Sequence, residues 1–185
     1  MRYFENNLPD FVLGTRTQPI IDDCRERWKE IIKSYTNLIV EQMPPTFDNC
    51  EGGLYVGCAG IAYMFYYLAN SEIFSDYRDE FLTRARNYTD VSLSYATSKR
   101  SSDPQAAFLL GGGGVTAVSS LVNHDIGLKN VSAEMNKKYE ALAAVCQPVD
   151  YLGSGSDELF VGRAGYLCGT LLLHRKFGKV CTCTL

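Results

Sequence analysis

Between Ile21 and Leu38 the apolar residues Ile21, Cys24, Trp28, Ile31, Tyr35 and Leu38 recur three or four positions apart, with charged residues between them. That spacing predicts an amphipathic helix with one face toward a core. Phe74, Tyr77, Phe81, Ala85 and Tyr88 repeat the pattern, with Asp76, Arg78, Glu80 and Arg84 on the other side. Met135, Tyr139 and Leu142 make a shorter stripe. Three other segments differ: "GGLYVGCAGIAYMFYYLA" from Gly52, "AFLLGGGGVTAVSSLV" from Ala107 and "DELFVGRAGYLCGTLLL" from Asp157 are apolar nearly all round. A helix with that profile is buried on every side.

Those three segments are copies of one unit. Each has an apolar triplet, then G-x-x-G, then an apolar run, with the glycine pairs at Gly57/Gly60, Gly111/Gly114 and Gly162/Gly165. The first glycines stand 54 and 51 residues apart, and a near-constant period of that size marks a repeated supersecondary unit. Pro44–Pro45, Asp103–Pro104 and Pro148 fall between units, where helices stop. The predicted fold is all-α: three helix pairs of an α/α toroid, with inner helices wrapped by outer ones. The glycines then serve structure, permitting a sharp turn and close approach. The second reading is an anion held at an inner-helix N-terminus. A phosphate loop is a poor fit, because Gly114 is followed by Val115, Thr116 and Ala117 with no lysine.

At 185 residues the chain is long enough for one domain with a substantial core. Its net charge of −3 has both signs interspersed, so no basic stripe points to nucleic acid. The start "MRYFENNLPDF" has no apolar core of a signal peptide. The apolar stretches Ile61–Ala69 and Leu167–Leu173 are too short to span a bilayer. Seven cysteines at irregular spacings read as free thiols in a reducing cytoplasm, with Cys24, Cys58 and Cys168 as buried packing. Peripheral association with the plasma membrane is left open.

The repeated glycine segments, with Arg2-x-Phe4-x-Asn6-x-x-x-Asp10-Phe11 at the start, resemble the lanthionine synthetase C-like (LanC-like) family, its eukaryotic members in particular. The resemblance covers a single domain over residues 1–178, with glycine segments at 52–69, 107–122 and 157–173. The tail 179–185 does not continue it. The resemblance implies a ring of seven inner and seven outer helices around a zinc ion. In the family, zinc activates a thiol of a peptide cysteine or of glutathione. The thiol then adds to a dehydroamino acid in a peptide, which is peptide modification. The family's zinc ligands, a Cys and a later Cys-His pair, belong to glycine segments beyond the third. No Cys here is followed by His. The expectation is therefore no metal ligand and no cofactor in this chain, with zinc only in the full-length family member. On this reading the chain is a fragment that is inactive as it stands.

The resemblance singles out Glu158 and Arg2, and the residues themselves add Arg163. Glu158, four residues before Gly162, reads as an acid/base or orienting carboxylate, for which a raised pKa would suit proton donation. It reads equally as a cap on the helix that follows. Arg163 could hold a glutathione or peptide carboxylate, or pair with Glu158 or Asp157. Arg2 matches an arginine associated with the glutathione site. His124 and His174 fall at inner-helix C-termini, where a cation is favoured. Cys181 and Cys183 sit in a frayed end. An open arc of three pairs would expose the inner helix around Tyr166–Leu173 and call for a protein partner to cover it. Two alternatives stand beside the enzyme reading. One is a non-catalytic glutathione- or protein-binding form. The weaker is a carbohydrate-active α/α barrel, which needs paired carboxylates.

Overall fold

A computed structural model describes residues 18–98, 105–153 and 155–178. All of the regular elements among the described residues are helical, so the fold class is all-α, as the periodicity predicts. The chain divides into two units, Met1–Leu38 and Ile39–Leu185. The helices are α1 (Gln18–Gln42), α2 (Gly53–Val56), α3 (Cys58–Ala69), α4 (Arg78–Ala96), α5 (Gly112–Asp125), α6 (Lys129–Ala141), α7 (Ala143–Cys146) and α8 (Arg163–Phe177). Two short 3-10 helices cover Phe47–Asn49 and Glu72–Tyr77.

In the first unit, α1 carries Glu26–Lys29 and Glu30–Lys33 pairs one turn apart. Its apolar stripe differs from the expected buried face: Trp28, Tyr35 and Leu38 are exposed. Periodicity identifies the side of a helix that is apolar; whether that side is covered depends on neighbours.

In the second unit the outer helices use their stripes as expected. Phe81, Ala85 and Tyr88 of α4 are buried, and the Phe65 ring of α3 lies 5.7 Å from Phe81 and 6.0 Å from Tyr88. Phe74 meets Phe81 edge-on at 5.5 Å. The Tyr88 hydroxyl donates to Met43 O at 2.7 Å, giving the polar tip of a buried ring the partner it needs. Met135 and Tyr139 of α6 are buried likewise. Between α5 and α6 the packing is polar: Ser120 Oγ donates to Asn136 Oδ1 at 2.7 Å and lies 3.2 Å from Ser132 Oγ.

The inner helices are α3, α5 and α8, and α5 packs against both of the others. Each begins at a glycine: Gly57, Gly111 and Gly162. Burial all round holds for α5, whose residues from Gly113 to Asn123 are buried apart from Thr116. It fails for α8, where Gly165, Tyr166, Gly169 and Leu173 form one buried stripe. Leu167 and Leu171, on the other side, are 46% and 50% exposed. Cys168 is exposed and Cys24 half-buried, against the expectation for both, while Cys58 is fully buried. An apolar helix is covered only where another element packs on it, and α8 has α5 on one side.

Candidate functional site

The three glycine turns lie side by side, stitched through their backbones. The triplets before the glycines are Leu54-Tyr55-Val56, Phe108-Leu109-Leu110 and Leu159-Phe160-Val161. Leu54 N and Tyr55 N both donate to Leu109 O, at 2.8 and 2.9 Å. Leu110 N donates to Phe160 O at 3.3 Å. The first triplet thus satisfies two donors on the second, and the second triplet one donor on the third. The Tyr55 and Phe160 rings meet edge-on at 5.3 Å.

The repeated glycines have a steric cause. A Cβ on Gly60, Gly114 or Gly165 would overlap the carbonyl oxygen six residues earlier, that of Leu54, Phe108 or Leu159. A Cβ on Gly57 would lie 2.6 Å from Cys50 O, and one on Gly162 2.6 Å from Glu158 O. None of the three first glycines needs left-handed backbone, with φ of −95°, −162° and −94°. The motif is therefore a contact rule, in which the helix starts directly beneath its own preceding loop. Approach between repeats is close as well, since a Cβ on Gly53 would lie 2.6 Å from Gly111 N.

Glu158 sits at the third turn, where its carboxylate accepts three backbone donors. Oε2 accepts from Phe160 N at 2.8 Å, and Oε1 from Gly162 N at 2.6 Å and from Val161 N. Burial works to raise its pKa, and these N–H bonds outweigh it, holding the carboxyl below its ordinary value. The raised pKa expected of a proton donor is thus reversed. The cause is donor bonding to the charged form; the three donors belong to the loop before α8, and α8 itself has no side-chain cap bond at its N-terminus.

Arg163 pairs with Asp157, not Glu158: Nη1 lies 2.6 Å from Asp157 Oδ1. Nε donates to Cys146 O at 2.7 Å, and Nη2 to Val149 O at 3.0 Å and to Pro148 O. Its guanidinium also lies 5.3 Å from the Tyr151 ring. This fork is engaged with Asp157 and with the segment between α7 and α8, the pairing that the sequence offers beside a ligand role. Arg2, Cys181 and Cys183 lie outside the described residues.

Both histidines fall in the last turns of inner helices, His124 of α5 and His174 of α8, but His124 departs from the cation role. Burial lowers the His124 pKa, with Lys129 and Lys176 adding to the effect, so the ring is disfavoured as a cation. Lys129 takes that role at the C-terminus of α5, donating to His124 O at 3.0 Å. His174 is exposed. A second cluster escaped sequence reasoning. Asp125 Oδ1 lies 2.6 Å from Lys176 Nζ, with the Asp125 side chain 6% exposed. The ammonium also sits 5.6 Å from the Tyr66 ring. Burial works against the Lys176 charge, but Asp125 and Tyr66 hold its pKa above the usual value. An acid at a helix C-terminus opposes the dipole and calls for a cation, but nothing local in the sequence says which one.

The zinc that the resemblance implies can be tested against the thiols. Cys50 and Cys58 are buried, and both direct their sulfur at Thr46 O, at 3.1 and 3.9 Å. Burial, reinforced by Cys50, pushes the Cys58 thiol up to about 12. Among the described residues no three His, Cys, Asp or Glu side chains converge to hold a metal ion. These residues do not fit a zinc centre. Among them, too, no helix is long and apolar enough to cross a membrane. Compared with known families, the chain matches the one described as Lanthionine synthetase C-like protein over residues 48–182.

Proposed function

The chain belongs to the lanthionine synthetase C-like family, and we propose that it serves the family's chemistry, adding a thiol to dehydroamino acids in peptides. Within the family we assign it to the LanC-like protein 3 type, which "AVCQPVDYLGSGSDELFVGRAGYLC" resembles. The observation that carries the reading is the row of three stitched glycine turns inside the matched region. The thiol is that of glutathione or a peptide cysteine. Zinc belongs to the full-length family member and is held by residues other than those described here. Glu158, ionised at neutral pH, fixes the start of α8, and Arg163 fixes the loop before it. Both act as positioning groups. The site of action is cytoplasmic.

The test is to isolate the native polypeptide with an antibody against residues 84–101 and incubate it with glutathione, zinc and a dehydroalanine peptide. A zinc-dependent glutathione adduct by mass is the expected product, and the 185-residue chain alone gives none above the uncatalysed rate. Absence of an adduct from the native polypeptide sinks the enzyme reading. The second reading, a non-catalytic glutathione- or protein-binding form, is favoured by the exposed Leu167 and Leu171 on α8. It gives saturable binding without turnover.

A further inference from the structure

Cys50 and Cys58 are two buried nucleophiles that the thiol-adding chemistry above does not use, 2% and 0% exposed. Both direct a thiol at one acceptor, Thr46 O, at 3.1 and 3.9 Å, and the two side chains hydrogen-bond to each other. Their backbones are equally close, since a Cβ on Gly57, the residue before Cys58, would lie 2.6 Å from Cys50 O. The turn that folds the chain back between them runs through Gly52 and Gly53, at φ of 82° and 59°, a region that glycine enters without strain.

The shared carbonyl decides what the pair can lose. Thr46 O also accepts from Asn49 N at 3.1 Å, so three donors compete for the two lone pairs of one oxygen. Removing both thiol protons leaves that oxygen with Asn49 N, and no buried acceptor is orphaned. A disulfide in the same space brings no donor that needs a partner. We propose that Cys50 and Cys58 are a redox-sensitive staple, closed by a small-molecule disulfide such as oxidised glutathione, which locks the first glycine turn onto the start of α3. One protein thiolate attacks a glutathione sulfur, forming a mixed disulfide and expelling one glutathione thiolate. The second protein thiolate then attacks the protein sulfur of that bond and expels the other glutathione. The two cysteines give up two protons and two electrons, and the two glutathione thiols take them up. Burial holds both thiols in the protonated form, so exchange waits on local opening of the turn, and the staple answers sustained oxidation.

The test equilibrates the full chain in mixtures of reduced and oxidised glutathione, quenches in acid, blocks free thiols with N-ethylmaleimide and reads each cysteine by mass spectrometry. The peptide holding Cys50 and Cys58 should become two hydrogens lighter and take up no N-ethylmaleimide. Half of the chain should reach that state while reduced glutathione still exceeds oxidised by at least tenfold. Buried Cys146 stays a free thiol and reports an intact fold. Native chymotrypsin cleavage after Tyr55, which is exposed within the closed ring, should slow at least threefold on oxidation. Cys50→Ser and Cys58→Ser, each keeping a hydroxyl donor and Cys146 protection, should lose both effects. A pair that stays reduced when oxidised glutathione is in excess overturns the proposal, as does a separate glutathione on each sulfur. Linkage found only in chains whose Cys146 is also modified belongs to the unfolded state and overturns it too. Unchanged cleavage after Tyr55 would remove the lock on the turn, and the proposal with it.

Discussion

The starts of α5 and α8 share one sequence grammar and are held in place by different forces. At α5 the turn is four glycines with no charge nearby in sequence. Its loop donor Leu110 N bonds to the neighbouring turn, and Leu109 O accepts from the turn on the other side. At α8 the loop donors Phe160, Val161 and Gly162 bond to the chain's own Glu158, and Arg163 gathers the preceding loop around its guanidinium. The middle turn is fixed by neighbours, the third by its own side chains. The same difference appears further along, where α5 is buried nearly all round and α8 on one stripe. A repeat with backbone partners on both sides needs no charge; one that must satisfy donors locally carries an acid and an arginine.

The largest effect expected from this contrast is at the second turn. Gly114→Ala would drive its Cβ into Phe108 O and the Leu54 side chain. Overpacking of that kind should cost about 3 kcal/mol in equilibrium unfolding. Gly112→Ala, in the same turn, meets Gln105 O at an acceptable 3.4 Å. It should be neutral or stabilise by up to about 1 kcal/mol, the helix preference of alanine. Equal costs at the two positions would remove the contact rule.

At the third turn, Arg163→Met should cost about 2–3 kcal/mol in the same measurement, since charged hydrogen bonds to three carbonyls are lost together. Asp157→Asn should cost less than about 0.5 kcal/mol, because that carboxylate is 83% exposed. If the aspartate substitution were the more damaging, the clamp would be the ion pair and not the carbonyl bonds.

The smallest effect concerns pH. The Glu158 carboxyl is held below its ordinary value, so the folded state favours its charged form. That contribution is present above the unfolded carboxyl's pKa and is lost as pH falls through the folded value. Melting temperature should therefore fall as pH drops from 5 to 3, and Glu158→Gln should flatten that fall while leaving α5-side substitutions unaffected. An unchanged acid slope would show that the three N–H groups do not depend on the charge.

Much of this was legible in the residues. The helices of the second unit and the glycine positions follow from spacing. Spacing did not reveal that Trp28 and Tyr35 would be exposed, because an apolar stripe does not identify its cover. It also could not separate the two roles of Glu158 or the three candidate partners of Arg163, since an acid near a helix start suits several of them equally. Asp125 and Lys176 stand a whole repeat apart, and Tyr139 of α6 reaches Tyr166 O of α8 at 2.6 Å, with the rings stacked at 5.0 Å. No local pattern announces such pairs.

The sequence by itself determined the repeat, its helices and the need for glycine at Gly60, Gly114 and Gly165, because each rests on residues within two turns of one another. The carbonyl that excludes a Cβ is always six positions back. The tertiary structure alone decided which charges meet, which thiols are sealed and which face of α8 stays open. Those outcomes depend on through-space distance between segments far apart in the chain, and electrostatic and burial energies respond to that distance, not to sequence separation.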